Sequence, residues 1–386
     1  MPEAIKPALA AFVLTFLFTL HATPATYINS NFLAQFFGNQ TIGWIYATGA
    51  AIGLFGLWVA NRAVRKFGNY HVLRVVLWVN LVALLCLAWA PNAAVSGLAF
   101  VAAFTAGVIS NFLIDIFVEA ASQNRDTGKT RGWYLTALNL AFLSGPLIAA
   151  LLLSDHQFHR VYLLGAGIIV VALIFLRRRF ANFDDPCYAR EGFGPGLARI
   201  WASSDLRRAF AGFLTLQGFF AWMVIYAPLH LTESMGFALH DVAAIAAISL
   251  IPFLVLQEWL GKLADCCTGE KEFLTGGLAI MGLSTLALAA IDSRSFAVWA
   301  GALFMTRIGA AMVESMSYSY IFRKVGAAES NIMEVFHSVR PAATIGGPIL
   351  AAPVFLLGGD TRGLFVVLAA TCFATALYIR PLRDSR

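Results

Sequence analysis

Ionisable side chains inside long apolar runs are the chemistry this sequence offers. Arg307 and Glu314 stand in the run 296–321, and His337 and Arg340 stand in the run 331–357. A charge at the centre of a bilayer costs on the order of 3 kcal/mol on insertion scales, which makes each one a functional candidate. Arg307 falls about twelve residues into its run, near the midplane of a span, and Glu314 lies two turns further along the same face. At a rise of ~1.5 Å per residue the two stand roughly 10 Å apart, too far for a direct pair. The following run returns in the opposite direction and brings His337 and Arg340 to about the depth of Glu314. This spacing predicts a Glu314–Arg340 ion pair and leaves Arg307 facing a polar cavity. A structural ion network without solute contact is the plainer alternative.

Weaker candidates are scattered through other runs. His21 sits slightly outward of the centre of the first run and is followed by Pro24 and Tyr27; a lone membrane histidine is more often a packing residue. Gln217, Trp222 and Tyr226 supply one amide and two aromatic faces that suit a ring or a sugar, although bundle packing explains them almost as well. Asn111 and Asn139 carry the same ambiguity. Asp115 and Glu119, four apart, share one helical face near the end of their run. There they are expected to pair with Arg62 or Arg65 more readily than to carry protons.

These residues need a lipid-embedded scaffold. Of the 386 residues, 59% are apolar and only 12% are charged, about half the charged share of a soluble domain. The long apolar runs recur from one end to the other. About twelve of them meet the roughly 20-residue length of a spanning helix. They lie near 7–29, 41–61, 72–90, 95–119, 132–154 and 160–177, then near 208–231, 241–263, 273–291, 296–321, 331–357 and 362–380. Alternating ten-residue segments of a membrane barrel are absent, and open sheet edges cannot sit in lipid. The start of the first run resembles a signal-peptide core, but the continuing hydrophobicity and the single Lys6 favour an uncleaved span. The five cysteines are odd in number and lack zinc spacing, so they read as reduced and structural.

Charge placement predicts orientation. With the N-terminus inside, outer loops hold only Arg160, Arg294 and Arg362 as basic residues. Inner loops hold Arg62, Arg65, Lys66, Arg125, Lys129, Arg131, the cluster Arg177 to Arg179, Lys262, Lys271, Arg323 and Lys324, among others. Both termini are therefore expected to be cytoplasmic, in the inner (cell) membrane. The net charge of +6 follows from this topology, and no nucleic-acid partner is expected. Residues 178–207 are charged and punctuated by Gly and Pro, which marks a cytoplasmic linker between an N-terminal bundle (1–177) and a C-terminal bundle (208–386). The halves resemble each other: Gly145-Pro146 opens GPLIAA, and Gly347-Pro348 opens GPILAA about 202 residues later. Gly107 and Gly309 share that offset, and Asn61 and Asp265 nearly share it. The two Gly-Pro pairs predict helix kinks, since proline removes a backbone hydrogen bond.

The segment after the eighth run reads Gly261-Lys262-Leu263-Ala264-Asp265, and the one after the second reads Leu57 to Lys66 with Asn61, Arg62, Arg65 and Lys66. In these loops, in its span count and in its repeat, the sequence resembles the major facilitator superfamily, whose loop signature is Gly-x-Leu-Ala-Asp-Arg-x-Gly-Arg-Arg/Lys. Neither copy is intact: Leu57, Asn61 and Val64 replace Gly, Asp and Gly in the first, and Cys266 replaces Arg in the second. The Gly-Pro-x-x-Ala-Ala strings resemble that family's fifth-helix antiporter signature, with Ala for its last two Gly. The resemblance implies an all-α membrane fold of two pseudo-symmetric six-helix bundles. It also implies that Asn61, Arg62, Arg65, Lys66, Gly261 and Asp265, with Asp115 and Glu119 nearby, gate the inner face. By the same resemblance, the helices carrying Arg307 and Glu314 line a central cavity.

The expected function is secondary transport of a small solute by alternating access, since internal repeats of this kind are a hallmark of secondary transporters, with protons as coupling ion and Glu314 as carrier. An anion carrier or uniporter using Arg307 and Arg340 is the rival. Neither a Walker loop nor a dinucleotide fingerprint nor a His-Glu-x-x-His string occurs, so no cofactor, metal or enzymatic chemistry is expected. A monomer in lipid is the expected state. A membrane-embedded enzyme or a non-transporting sensor stands as the outside class; the trio Asp155, His156 and His159 offers little to the former.

Overall fold

A computed structural model of the chain describes residues 5–122, 127–153, 157–183, 185, 193–266, 269–324 and 330–383. Long helices dominate: α1 (Ile5–Thr26), α3 (Asn39–Phe67), α4 (Asn69–Ala88), α5 (Ala93–Ser122), α6 (Thr127–Leu152), α7 (Phe158–Phe180), α9 (Ser204–Leu229), α10 (Leu239–Cys266), α11 (Glu270–Ala290), α12 (Phe296–Lys324), α13 (Ser330–Leu356) and α14 (Thr361–Ile379). Two short helices, α2 (Asn29–Ala34) and α8 (Phe193–Ala202), join them, and no strand occurs among the described residues. Among the described residues, eleven helices hold a stretch long and apolar enough to cross a bilayer, and α6 adds the shorter stretch Leu138–Leu152. The order follows the predicted spans one for one. What the apolar pattern did not announce is α2 in the first loop and α8 inside the charged linker.

The chain divides into two compact units, one of Met1–Ala189 with Ala238–Ala244 and one of Arg190–Phe237 with Ile245–Arg386. In the first unit α1 packs on α6 and α7, α4 packs on α5 and α7, and α3 packs on α5. Leu14, Leu73, Leu77, Leu113 and Ile169 are buried among them. On α4 the complementary face carries Val75, Trp78, Val79 and Val82, all exposed, at helical spacing. A stripe of bare Val and Trp on a helix this apolar suits a lipid neighbour. The corner between α3 and α4 is a single residue, Gly68, at φ 81°. An L side chain is strained there, which is why the corner is glycine.

In the second unit α11 packs on α12 and α14, while α9 is contacted by α12, α13 and α14. The α11–α12 contact is backbone on backbone. A Cβ added to Gly277 would fall 2.8 Å from the Gly309 carbonyl oxygen, and one added to Gly309 would fall 2.5 Å from the Gly277 carbonyl oxygen. Small residues allow this approach, which replaces hydrophobic drive in lipid. Ser203 caps α9 by accepting from the Leu206 amide at 3.3 Å, and Asp360 caps α14 by accepting from the Arg362 and Gly363 amides at 3.0 and 3.2 Å. Beyond Pro228, α9 widens into a π-helical turn at His230–Ser234, closed by the Met235 amide donating to the His230 carbonyl at 3.1 Å.

The repeated Gly-Pro pairs sit inside continuous helices, Pro146 in α6 and Pro348 in α13. Their glycines are contact points. A Cβ on Gly145 would run into Thr23 of α1, whose hydroxyl donates to the Ala141 carbonyl at 3.0 Å. A Cβ on Gly347 would fall 2.9 Å from the indole of Trp222 on α9. Each pair thus seats its helix against the first long helix of its own unit.

Candidate solute-binding site

Arg307 lies midway along α12 and is 3% exposed. Its guanidinium carbon stands 5.4 Å from the centre of the Phe219 ring and 5.5 Å from that of Phe220, both on α9. Two cation–π contacts offset part of the cost of a charge at this depth, each by about 0.5–2 kcal/mol. Phe219 is fully buried, and Phe220 leans on Phe253 of α10 at 5.9 Å. Neither phenylalanine is legible in the sequence, because Phe is abundant, with 32 residues, and nothing in its spacing singles out two of them.

The other α9 candidates extend this aromatic face. Gln217 is 6% exposed. Trp222 meets Tyr226 edge-on at 6.1 Å, and Tyr226 in turn meets Phe355 of α13 at 5.9 Å. The Trp222 indole lies against Gly347 of α13.

Glu314 is half-buried on α12, and it and Arg307 each engage further neighbours. The expected ion pair between Glu314 and Arg340 does not form. Arg340 is exposed on α13, and its carbonyl accepts the Thr344 hydroxyl at 3.0 Å. Depth alone suggested the pair, but α12 and α13 each pack on α9, and equal depth on two helices does not bring side chains together. The side chains of His337, Gly261 and Asp265 lie outside the described residues.

In the first unit the candidates separate into local partners. His21 is 4% exposed; its Nδ1 donates to the Phe18 carbonyl, and its Nε2 accepts from the Asn80 amide of α4 at 3.0 Å. A carbonyl can only accept, so this arrangement holds the neutral Nδ1–H tautomer. His21 bridges α1 to α4, and Asn80, an amide within an apolar run, was the visible signal for its partner. Tyr27 and Asn139 are half-buried, and exposed Asn111 donates to the Gly107 carbonyl of its own helix at 3.0 Å.

The gating candidates are also locally engaged. Arg65 donates from Nε and Nη2 to Asn61 at 3.2 and 3.0 Å, one helical turn away. The Arg62 guanidinium lies 3.2 Å over the Trp58 ring, and Lys66 stands 5.1 Å from the Phe67 ring. The expected pairing of Asp115 or Glu119 with Arg62 or Arg65 is not formed, since both arginines find nearer partners on α3. Asp115 is half-buried and Glu119 exposed, and each has other contacts. No group of three metal-ligating side chains occurs among the described residues.

Two compact units of long apolar helices, one of them holding a buried cation against aromatic rings, define a multi-pass membrane protein. A family model, Major Facilitator Superfamily, matches residues 8–205, and the chain belongs to that superfamily. Solved structures with this fold include a point mutant of the nucleoside transporter NupG, at 16% identity and TM-score 0.76 over 98% of this chain and 100% of that one. A POT family transporter in complex with a thioalcohol conjugated peptide matches at 14% identity and TM-score 0.74, covering 96% and 95%. A POT family transporter in complex with 5-aminolevulinic acid matches at 13% identity and TM-score 0.76, again over 96% and 95%. No curated protein sequence matches.

Proposed function

We propose that this protein is a secondary active transporter that moves a small solute across the inner membrane by alternating access, coupled to protons. Arg307 supplies the counter-charge for a polar or anionic group of the solute, and Glu314 carries the proton. Both termini are cytoplasmic, the chain acts as a monomer, and its halves meet at the linker 178–207. The observation that carries this reading is the buried Arg307, seated on Phe219 and Phe220 in mid-span with a carboxylate two turns away on the same helix. Desolvation favours a neutral carboxyl and a nearby cation favours an ionised one, so a carboxylate that changes surroundings during the cycle binds and releases a proton. The NupG and POT relatives in fold, which take nucleosides and peptides by their names, fit a solute of similar size.

A thermal-shift screen of the purified protein against a solute library at two pH values identifies the cargo. Uptake of the hit into proteoliposomes under an imposed pH gradient then tests coupling. Glu314→Gln is expected to abolish the dependence on the gradient while exchange of solute persists. Full gradient dependence in that variant overturns the proton role.

The aromatic seat of Arg307 also favours a second reading, an organic-anion carrier or uniporter in which Arg307, with Arg340, binds a carboxylate or phosphate and no proton moves. Counterflow of anionic against neutral solutes separates the two: in this case Arg307→Ala loses anions selectively and the pH gradient is without effect.

A further inference from the structure

The loop signature that the sequence resembles places an acid at the end of the second span, and this chain has Asn61 there. Asn61 is occupied by Arg65 of its own helix. An acid nevertheless reaches this corner from elsewhere. Asp185, beyond the end of α7, accepts from the Asn69 backbone amide through Oδ1 at 2.9 Å. Asn69 is the first residue of α4, so the carboxylate satisfies one of the amides left free at the start of that helix, beside Gly68, which has no side chain to do so. It also lies against the glycine itself: a Cβ on Gly68 would fall 2.6 Å from Asp185 Oδ2. The corner admits the acid only because residue 68 is glycine.

The surrounding contacts hold both ends of this link. The Asn69 side chain, fully buried, donates to the Leu113 carbonyl of α5 at 2.9 Å. On the other side Phe183 stacks edge-on against Phe117 of α5 at 4.6 Å, and Phe117 meets Phe180 at 4.4 Å. The Phe183 amide donates to the Phe180 carbonyl at 3.1 Å, which turns the chain back toward the corner. Within one unit, therefore, the carboxylate ties the α3–α4 corner to the exit of α7, and α5 backs both through Leu113 and Phe117. A negative charge on a helix N-terminus is favoured by the exposed amides and the helix dipole.

We propose that Asp185 is the positioning residue of the inner gate in this chain: it takes over the task of the absent loop acid by stapling the α3–α4 corner to the segment leaving α7. The staple rests on the alternating-access reading above for its role in transport, but its existence does not. Formed, it fixes Arg62, Arg65 and Lys66 at the end of α3. Released, it frees the corner and the first residues of the linker together, so the two states of the gate differ in whether this one hydrogen bond is made.

The test uses the full chain in nanodiscs and needs no solute. Hydrogen–deuterium exchange of the peptide covering 66–72 is compared with that of the α1 core, in wild type and in Asp185→Ala, Asp185→Asn and Asp185→Glu. Spin labels on exposed Arg178→Cys and Arg199→Cys, one in each unit, report the distribution of conformations. The expected result is exchange at the corner about tenfold faster in Asp185→Ala with the α1 core unchanged, and a ratio of conformations shifted at least threefold. Asp185→Glu restores both. Asp185→Asn, which keeps size and acceptor but loses the charge, falls between, and it carries the test where the alanine variant does not fold. Wild-type exchange at the corner, acceleration throughout the unit, or an unmoved conformational ratio each overturn the proposal. A lack of proton-coupled uptake counts against the transport reading and leaves the staple standing.

Discussion

His21 and Arg307 show how two buried polar residues of similar sequence setting come to differ. Both stand alone in apolar runs, and both were legible as candidates because polarity in a span is costly. Their partners were not legible. His21 turns its two nitrogens to a carbonyl one turn back and to Asn80 on α4, so it is satisfied and fixed as a neutral bridge. Arg307 rests its charge on two ring faces. Which neighbour a side chain meets depends on which helices touch, and sequence spacing says nothing of that for Glu314 and Arg340. Arg62 and Arg65 do not reach Asp115 for a simpler reason: each has a partner one turn away on its own helix, Trp58 for Arg62 and Asn61 for Arg65. A consequence can be measured at His21. Its replacement by alanine leaves the buried Asn80 amide short of an acceptor, at about 1–3 kcal/mol. His21→Ala is expected to lower the thermal unfolding midpoint in detergent by several degrees, while double replacement with Asn80→Leu recovers part of the loss. A destabilisation that Asn80→Leu deepens would show that His21 does something other than hold this bond.

At the scale of elements, length and apolarity identified every long helix, because a span must satisfy its backbone internally and only a helix of about 20 apolar residues does so in lipid. The same criterion is blind to α8 and α2, which are too short to span, and to the π-helical turn after Pro228, which no apolar pattern marks. It is blind also to how closely two helices approach. Gly309 matched Gly107 as part of a repeat, yet in space it is half of a glycine-on-glycine contact with Gly277. Gly309→Leu must push α12 away from α11, at a cost of about 1–3 kcal/mol or more. The control is Gly301→Leu on the same helix, where an added Cβ meets nothing within 4 Å. Thermal melts of the two variants are expected to differ by several degrees, with Gly301→Leu close to wild type. Equal melts would mean that the α11–α12 approach relaxes freely and is no anchor of the second unit.

For the whole molecule, the shortage of charge calls for lipid as solvent, and its structural counterpart is a set of bare apolar stripes such as Val75, Trp78, Val79 and Val82. The side of the membrane on which each end lies rests on different physics, the asymmetry of Lys and Arg between loops. Arg177, Arg178 and Arg179 fill the last turn of α7, all exposed, whereas exposed Arg160 stands at its first turn. These two ends are separated by the length of the helix, about 30 Å at ~1.5 Å per residue, so they face opposite sides of the bilayer. Three cations at one end and one at the other predict that the Arg178 end is cytoplasmic, and with an even number of spans before it, so is the N-terminus. Arg178→Cys and Arg160→Cys, each in a background with the five native cysteines replaced by serine, turn this into a labelling experiment. A membrane-impermeant maleimide applied to intact cells is expected to label position 160 at least tenfold faster than position 178, and the preference is expected to reverse in inside-out vesicles. Labelling of position 178 from outside would invert every loop at once, moving the Asp185 staple and the basic end of α3 to the outer face and removing the basis for an inner gate there.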